Sequence, residues 1–484
     1  MNTLEKHVRN ARIALAMLAG PLAGTCMMAH AANADDFAYG ADIGWVQQME
    51  ANGYTWKNSA GVQKDILLIL KEKGVNAIRL RVWVNPSTDP ASGHNSIEEV
   101  AVMARRVQDA GFRVMIDYHF GDTWNSVGTQ KPPVAWANYD YAQMKVALGD
   151  YVTRSMNVLK TAGVAPTWVQ IGNEQNSGIL GYVGSFAHQP AQMTGLLNIA
   201  YDKVKLVSPS SQVIIHLAQP QYLDRITTFF DTYQSLGGKW DVSGFSSYPG
   251  YASVDGLVSN IDAMRQRYGK PVILVETGGA MTSADSVARM VTYYTAKINA
   301  IGGQGAFLWE PEGYKPFTDY GMTAWDGATQ MPTNAMNAFL AAGAQPWGGK
   351  GYVRLKNVST GLVADGMGST TAGAPAAQWH DGTSFNQQWE ILGADAGYIR
   401  LKNRATGMYL DGMGAIANGS PVGEWTSSTS WNQHWLIETV NGYAKFKNRS
   451  TGLYIDGAGA TTDGAQIKQY GAGTALTQSW KVVN

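Results

Sequence analysis

The chain has 484 residues, enough for two or three domains at roughly 100–200 residues each. Its 37 basic and 37 acidic side chains cancel, so it lacks the basic excess that holds a polyanion, and nucleic acid is not an expected partner. Charged residues make up only 15% and hydrophobic ones 45%, which excludes a disordered chain, while 55 Gly, 16 Trp and 23 Tyr give a turn-rich, ring-rich sequence suited to an uncharged, hydroxyl-rich ligand.

Residues 1–34 read as a secretory signal peptide. Lys6, Arg9 and Arg12 form a positive start, Ile13 to Ala29 is largely apolar, and Ala29-His30-Ala31 or Ala32-Asn33-Ala34 offers small residues for cleavage. Gly20, Pro21, Gly24 and Thr25 interrupt the apolar run, which argues against a membrane span. The expectation is a secreted protein, extracellular or periplasmic, with no membrane segment once the leader is removed, acting as a monomer. Cys26 is the single cysteine, so no disulfide can form within the chain.

From residue 35 to 342 short β-branched runs alternate with longer stretches of helical spacing. The predicted strands are Tyr39–Ile43, Ala77–Val82, Arg113–Tyr118, Trp168–Gly172, Val213–Leu217, Val242–Ser246, Val272–Glu276 and Ala306–Trp309. Helical spacing marks Ser96–Ala110, opened by a capping box of Ser96 and Glu99, then Tyr141–Thr161, Met193–Val207, Val254–Tyr268, Ala284–Ala300 and Thr333–Ala342. Eight strands alternating with helices predict an α/β domain, a (β/α)8 TIM barrel. An open doubly wound sheet gives the same alternation; the count of eight and the lack of a Gly-rich phosphate loop after the first strand favour the barrel.

A Gly/Pro-rich linker over 343–350 leads into residues 351–484, where three copies open alike, GYVRLKNVSTGLVADG, GYIRLKNRATGMYLDG and GYAKFKNRSTGLYIDG. Each closes on a Gln-x-Trp, at Gln387, Gln433 and Gln478, a period of about 45 residues. Three copies predict a three-fold closed all-β domain in which each supplies four short strands.

In a TIM barrel the chemistry sits where strands end. Strand four ends Asn173-Glu174 and strand seven ends Glu276-Thr277. Two carboxyl groups across one mouth are what glycoside hydrolysis needs: one protonates the leaving oxygen, the other attacks the anomeric carbon or activates water. The other strand ends supply Arg79, Arg81, Asp117, His119, Trp124, His216, Tyr248 and Trp309. Among these, a Tyr or Arg near Glu276 would keep it ionised, Asn173 would bind a sugar 2-hydroxyl, and Trp124, Trp136 and Trp309 would stack on sugar rings. Without HExxH or histidines at ligand spacing, neither a metal nor another cofactor is expected.

The stretch Tyr39–Trp309 resembles glycoside hydrolase family 53, the endo-β-1,4-galactanases. The likeness is carried by Gly40-Ala41-Asp42-Ile43, Ile78-Arg79-Leu80-Arg81-Val82-Trp83, Asp117-Tyr118-His119-Phe120-Gly121-Asp122-Thr123-Trp124, Gln170-Ile171-Gly172-Asn173-Glu174, Ser247-Tyr248-Pro249 and Glu276-Thr277-Gly278. It implies a retaining enzyme with Glu174 as acid/base, Glu276 as nucleophile, Asn173 on the 2-hydroxyl, and plant cell-wall galactan or arabinogalactan as substrate. The sequence departs from that family at Ser247 and Tyr251, where it carries further aromatics, and in the short loop Gly278-Gly279-Ala280-Met281, where some relatives hold calcium. The repeats resemble the ricin-B-type β-trefoil lectin module. That likeness implies sugar pockets at Asp365, Trp379 and Asn386, at Asp411, Trp425 and Asn432, and at Asp456 and Tyr470, the last with Thr477 in place of Asn. It also implies that each Gln-x-Trp packs the three-fold core. The same chemistry on mannan, glucan or β-1,3-galactan stays open at this point, as does a glycan-binding protein without catalysis.

Overall fold

A computed structural model describes residues 37–89, 93–343, 352–394, 398–440 and 443–483. The signal-peptide segment and nearly all of the linker lie outside the described residues. Eight parallel strands close into a barrel: β1 Ala38–Asp42, β2 Ala77–Val82, β3 Arg113–Tyr118, β4 Trp168–Ile171, β5 Gln212–Ala218, β6 Val242–Ser246, β7 Val272–Thr277 and β8 Gly305–Trp309. β8 returns to pair with β1 from Ala38↔Gly305 to Asp42↔Trp309. Around them run α1 Ile66–Glu72, α2 Ile97–Asp109, α3 Tyr141–Thr161, α4 Pro190–Val207, α5 Leu223–Ser235, α6 Val254–Tyr268, α7 Ala284–Ala300 and α8 Ala338–Gly343. Ser96 caps α2 by the predicted box with Glu99, and Asp140 with Gln143 does the same for α3.

Alternation along the strands divides the core in two. Ala38, Ala77, Met115, Trp168, Ile214, Val242, Ile273, Val275 and Phe307 form a small cluster of their own, the plug inside the barrel, while residues of opposite parity pack outward against the helices. Polar residues two and four places further along share the plug's parity: Arg79, Arg81, Asp117, Gln170 and His216 therefore point inward above it. Glu276 does not share that parity, since Ile273 and Val275 already point inward. The β7 ladder shifts register between Leu274 and Thr277, and its partner β6 shifts between Phe245 and Ser246. A bulge of this kind re-aims one side chain, and here it turns Glu276 to the mouth.

The C-terminal part is the predicted all-β trefoil. Its lobes are built from Tyr352–Asn357, Val363–Asp365, Ala377–Trp379 and Trp389–Gly393; from Ile399–Asn403, Tyr409–Asp411, Gly423–Trp425 and Trp435–Val440; and from Tyr443–Asn448, Tyr454–Asp456, Lys468–Tyr470 and Trp480–Val483. The first and last of these strands pair, Arg354↔Val483 to Asn357↔Trp480, which closes the domain. The trefoil meets the barrel at α7, where Lys297 Nζ donates to the Ile391 carbonyl at 3.2 Å and the Tyr293 hydroxyl stands 3.3 Å from the same oxygen.

Candidate active site

The β4 strand ends in a sharp turn. Gly172 at φ +110° and Glu174 at φ +45° both have positive φ, a conformation costly for Glu that the surrounding contacts must impose. Glu174 N–H donates to His216 Nδ1 at 3.2 Å, while Gln130 Nε2 donates to the carbonyls of Asn173 and Glu174. Burial, with help from Arg79, holds His216 well below its ordinary range, so the ring is neutral and accepts at Nδ1. The Glu174 carboxylate receives Ser246 Oγ at 2.8 Å and Val127 N at 3.2 Å. It is partly exposed to the cleft.

Glu276 is held by charge from one side and a hydroxyl from the other. Arg79 Nη1 stands 2.8 Å from Oε1, and the Tyr248 hydroxyl donates to Oε2 at 3.2 Å. Its side chain keeps 7% exposure, enough to be reached from the mouth. Burial pushes its carboxyl up to about 8; Arg79 opposes this, while Glu174, Asp42 and Asp117 add to it. Glu276 thus senses a second carboxyl group in the same site.

Beneath them lies a buried hub. Arg79 pairs with Asp42, with Asp117 at 2.8 Å and with Glu276, and donates to Asn173 Oδ1 at 3.0 Å. Burial raises Asp117, but Arg79 and His119 more than cancel that and hold it below the ordinary carboxylate range. Asp117, His119 and His216 are at most 3% exposed, so they support the floor from below. Arg81 is placed differently from Arg79. It pairs with buried Glu310 and lies 4.4 Å from the Trp124 ring centre, so it underpins an aromatic rather than touching Glu276. Trp124 and Trp309, 5.8 Å apart, continue through Tyr320, 4.7 Å from Trp309, into an aromatic wall. Trp136 is not part of it: the ring is buried against Tyr151. Asn173 sits at the mouth, 6% exposed, donating to the Asn125 carbonyl.

Sequence reasoning gave no role to Ser246, Tyr320 or the Val127 amide. Parity would have found Ser246, which follows Val242 and Gly244 on the inward face of β6; the other two come from loops and left no periodic signal.

In the trefoil, Asp365, Asp411 and Asp456 are buried and each accepts the N–H two residues on, at 2.7 Å. Trp379 and Trp425 are 38% and 40% exposed beside them, and Tyr470 occupies the third position, half-buried. Asn386 and Asn432 lie against Gly368 and Gly414, while Thr477 takes that place against Gly459. Trp389, Trp435 and Trp480 are sealed in the core and donate to the carbonyls of Ala364, Leu410 and Ile455. One position breaks the symmetry. Gln378 and Gln469 donate to the carbonyls of Gly457 and Gly412, at 2.8 Å each, whereas the second lobe has Glu424, fully buried, with Oε1 unpartnered beside Gly366. Burial pushes this carboxyl up to about 8.

A barrel carrying a glutamate pair at β4 and β7, an aromatic wall and a lectin-type trefoil define a glycoside hydrolase. The profile of Glycosyl hydrolase family 53 matches residues 38–339, and that of the Ricin-type beta-trefoil lectin domain-like family matches 339–425 and 431–484. The chain belongs to glycosyl hydrolase family 53. It is 31% identical over 298 residues to arabinogalactan endo-beta-1,4-galactanase A of Emericella nidulans, covering 56% of this chain and 84% of that one. It is 28% identical over 305 residues to the endo-beta-1,4-galactanase of Bacillus subtilis, covering 57% and 70%. The solved GH53 catalytic domain of Ignisphaera aggregans superposes with a TM-score of 0.59 at 27% identity, over 63% of this chain and 96% of that one.

Proposed function

We propose that this protein is a secreted, endo-acting galactanase that cleaves β-1,4-galactan, the backbone of type I arabinogalactan, with retention of configuration. Its trefoil holds the enzyme on the polysaccharide. The observation that carries the reading is the Glu276 carboxylate gripped by Arg79 and Tyr248, with the Glu174 carboxyl held by Ser246 at the same barrel mouth.

In the first step Glu276 attacks the anomeric carbon while Glu174 gives its proton to the departing glycosidic oxygen. Arg79 and Tyr248 hold Glu276 in line, and Arg79 stabilises its charged form. As the ester forms, the charge on Glu276 disappears and Glu174 can draw a proton from water, which releases the sugar and restores both groups. Ser246 and the Val127 amide fix the Glu174 oxygens through this exchange. Substrate identity rests on the family relatives, since one barrel serves many glycans.

The test is incubation with unbranched β-1,4-galactan beside mannan, β-glucan and β-1,3-galactan, followed by product sizing. The expected result is short oligosaccharides from β-1,4-galactan alone, with the β-anomer appearing first by NMR. Cleavage of another glycan would replace the substrate, α-anomer first would replace the mechanism, and binding without cleavage would leave a lectin.

A further inference from the structure

The described molecule has an unassigned groove on one side of Glu174. Its first part is a cavity of 690 Å³ bounded by Glu174, Ser246 and Tyr248 and running out over the end of β5 to α6. Its second part is a cavity of 440 Å³ over the start of α5, floored by Phe186 and Phe229 and flanked by Tyr222. The two share Val127 and Gln219, so they adjoin at these residues as a two-part channel. Each is within the roughly 300–1,000 Å³ that ligand sites occupy.

Resting on the galactanase reading above, we propose that this channel binds the leaving-group side of the galactan chain, with Tyr222 as its outer stacking platform and Gln219 as the junction between two sugar positions. Chemistry gives the direction. The general acid must reach the glycosidic oxygen, and that oxygen departs with the sugars on the acid's side. The first cavity is bounded by Glu174 and not by Glu276. The aromatic wall of Trp124, Trp309 and Tyr320 lines neither cavity.

Two features mark the channel as built for a ligand. Gln219 is exposed yet held at φ +62°, its N–H on the Ser246 carbonyl at 3.0 Å. That carbonyl belongs to the residue whose hydroxyl binds Glu174, so the junction and the acid share one support. Strained backbone of this kind persists where surroundings impose it and clusters at binding sites. Tyr222 is 47% exposed, and Arg225 lies 4.7 Å from its ring centre. The guanidinium steadies one face and leaves a ring free to stack, as aromatic rings stack on the apolar faces of sugars.

The experiment compares the full-length protein with Tyr222→Ala and Gln219→Ala on end-labelled, unsubstituted β-1,4-galacto-oligosaccharides of increasing length. Melting temperature is read alongside. Wild type should gain kcat/KM as units are added on the leaving-group side. Tyr222→Ala should lose that gain by about five- to tenfold and move the favoured cleavage point toward the end that occupied the channel. A cleavage pattern and length dependence matching wild type would overturn the proposal, as would an equal loss on every length, which would make Tyr222 merely structural. Wild type inert on every length would instead refute the galactanase reading itself.

Discussion

The Tyr248 hydroxyl donates to Glu276 Oε2 at 3.2 Å, while Arg79 holds the other oxygen. The reactive form of Glu276 is the ionised one, and burial raises its ionisation to about 8. A donor to the charged form lowers that ionisation, so removing the donor raises it. Tyr248→Phe should therefore move the acid limb of kcat/KM to higher pH and cost most at neutral pH. A limb that stays in place while kcat falls uniformly would leave Tyr248 as a substrate contact only.

The two glutamates should separate by leaving group. Glu174→Ala should lower turnover of galactan by about 10²–10⁴, with a much smaller loss on an aryl galactoside whose phenolate leaves without a proton. Glu276→Ala should lose both substrates while the fold survives. Paired kinetics on the two substrates check this, and equal losses in both variants would contradict the division of roles.

Glu424 should make stability depend on pH. Its folded-state value of about 8 lies above that of an unfolded glutamate, about 4.3. A raised value stabilises below the unfolded pKa, and that contribution drains away as pH rises to the folded one, by about 1.4 kcal/mol per pH unit. Glu424→Gln supplies the donor that Gln378 and Gln469 provide in the other lobes. The variant should melt higher than wild type at pH 8 and differ little at pH 4, as scanning calorimetry at the two values would register. A variant that melts lower at both would refute the symmetry argument.

The trefoil pockets should contribute unequally. Trp379→Ala or Trp425→Ala should weaken retention on insoluble galactan by about tenfold, and Tyr470→Ala by less, because Thr477 stands where the other lobes have Asn. Pull-down of each variant with washed polysaccharide measures this. Equal losses in all three lobes would assign the third a full pocket.

The barrel was legible because inward and outward positions repeat along each strand; three of the eight predicted strands match residue for residue. Two helices carried weak signals. α1 reads as the unbroken apolar run Ile66-Leu67-Leu68-Ile69-Leu70, and α5 places Thr227, Thr228, Phe229 and Phe230 together, residues of modest helix preference that only packing makes helical. At the site, the glutamate pair followed from strand order, but the arginine that grips Glu276 did not. Arg79 and Arg81 share one parity, and only their heights in the barrel separate the residue on the carboxylate from the one under Trp124. The bulge that turns Glu276 inward is a backbone event with no residue of its own.

The contact of Lys297 and Tyr293 with the Ile391 carbonyl has a mechanical meaning. Helix α7 follows the strand that carries Glu276, so under the proposed binding of the trefoil to galactan a load on that domain would reach the outer shell of the Glu276 βα unit as well as the tether between the domains.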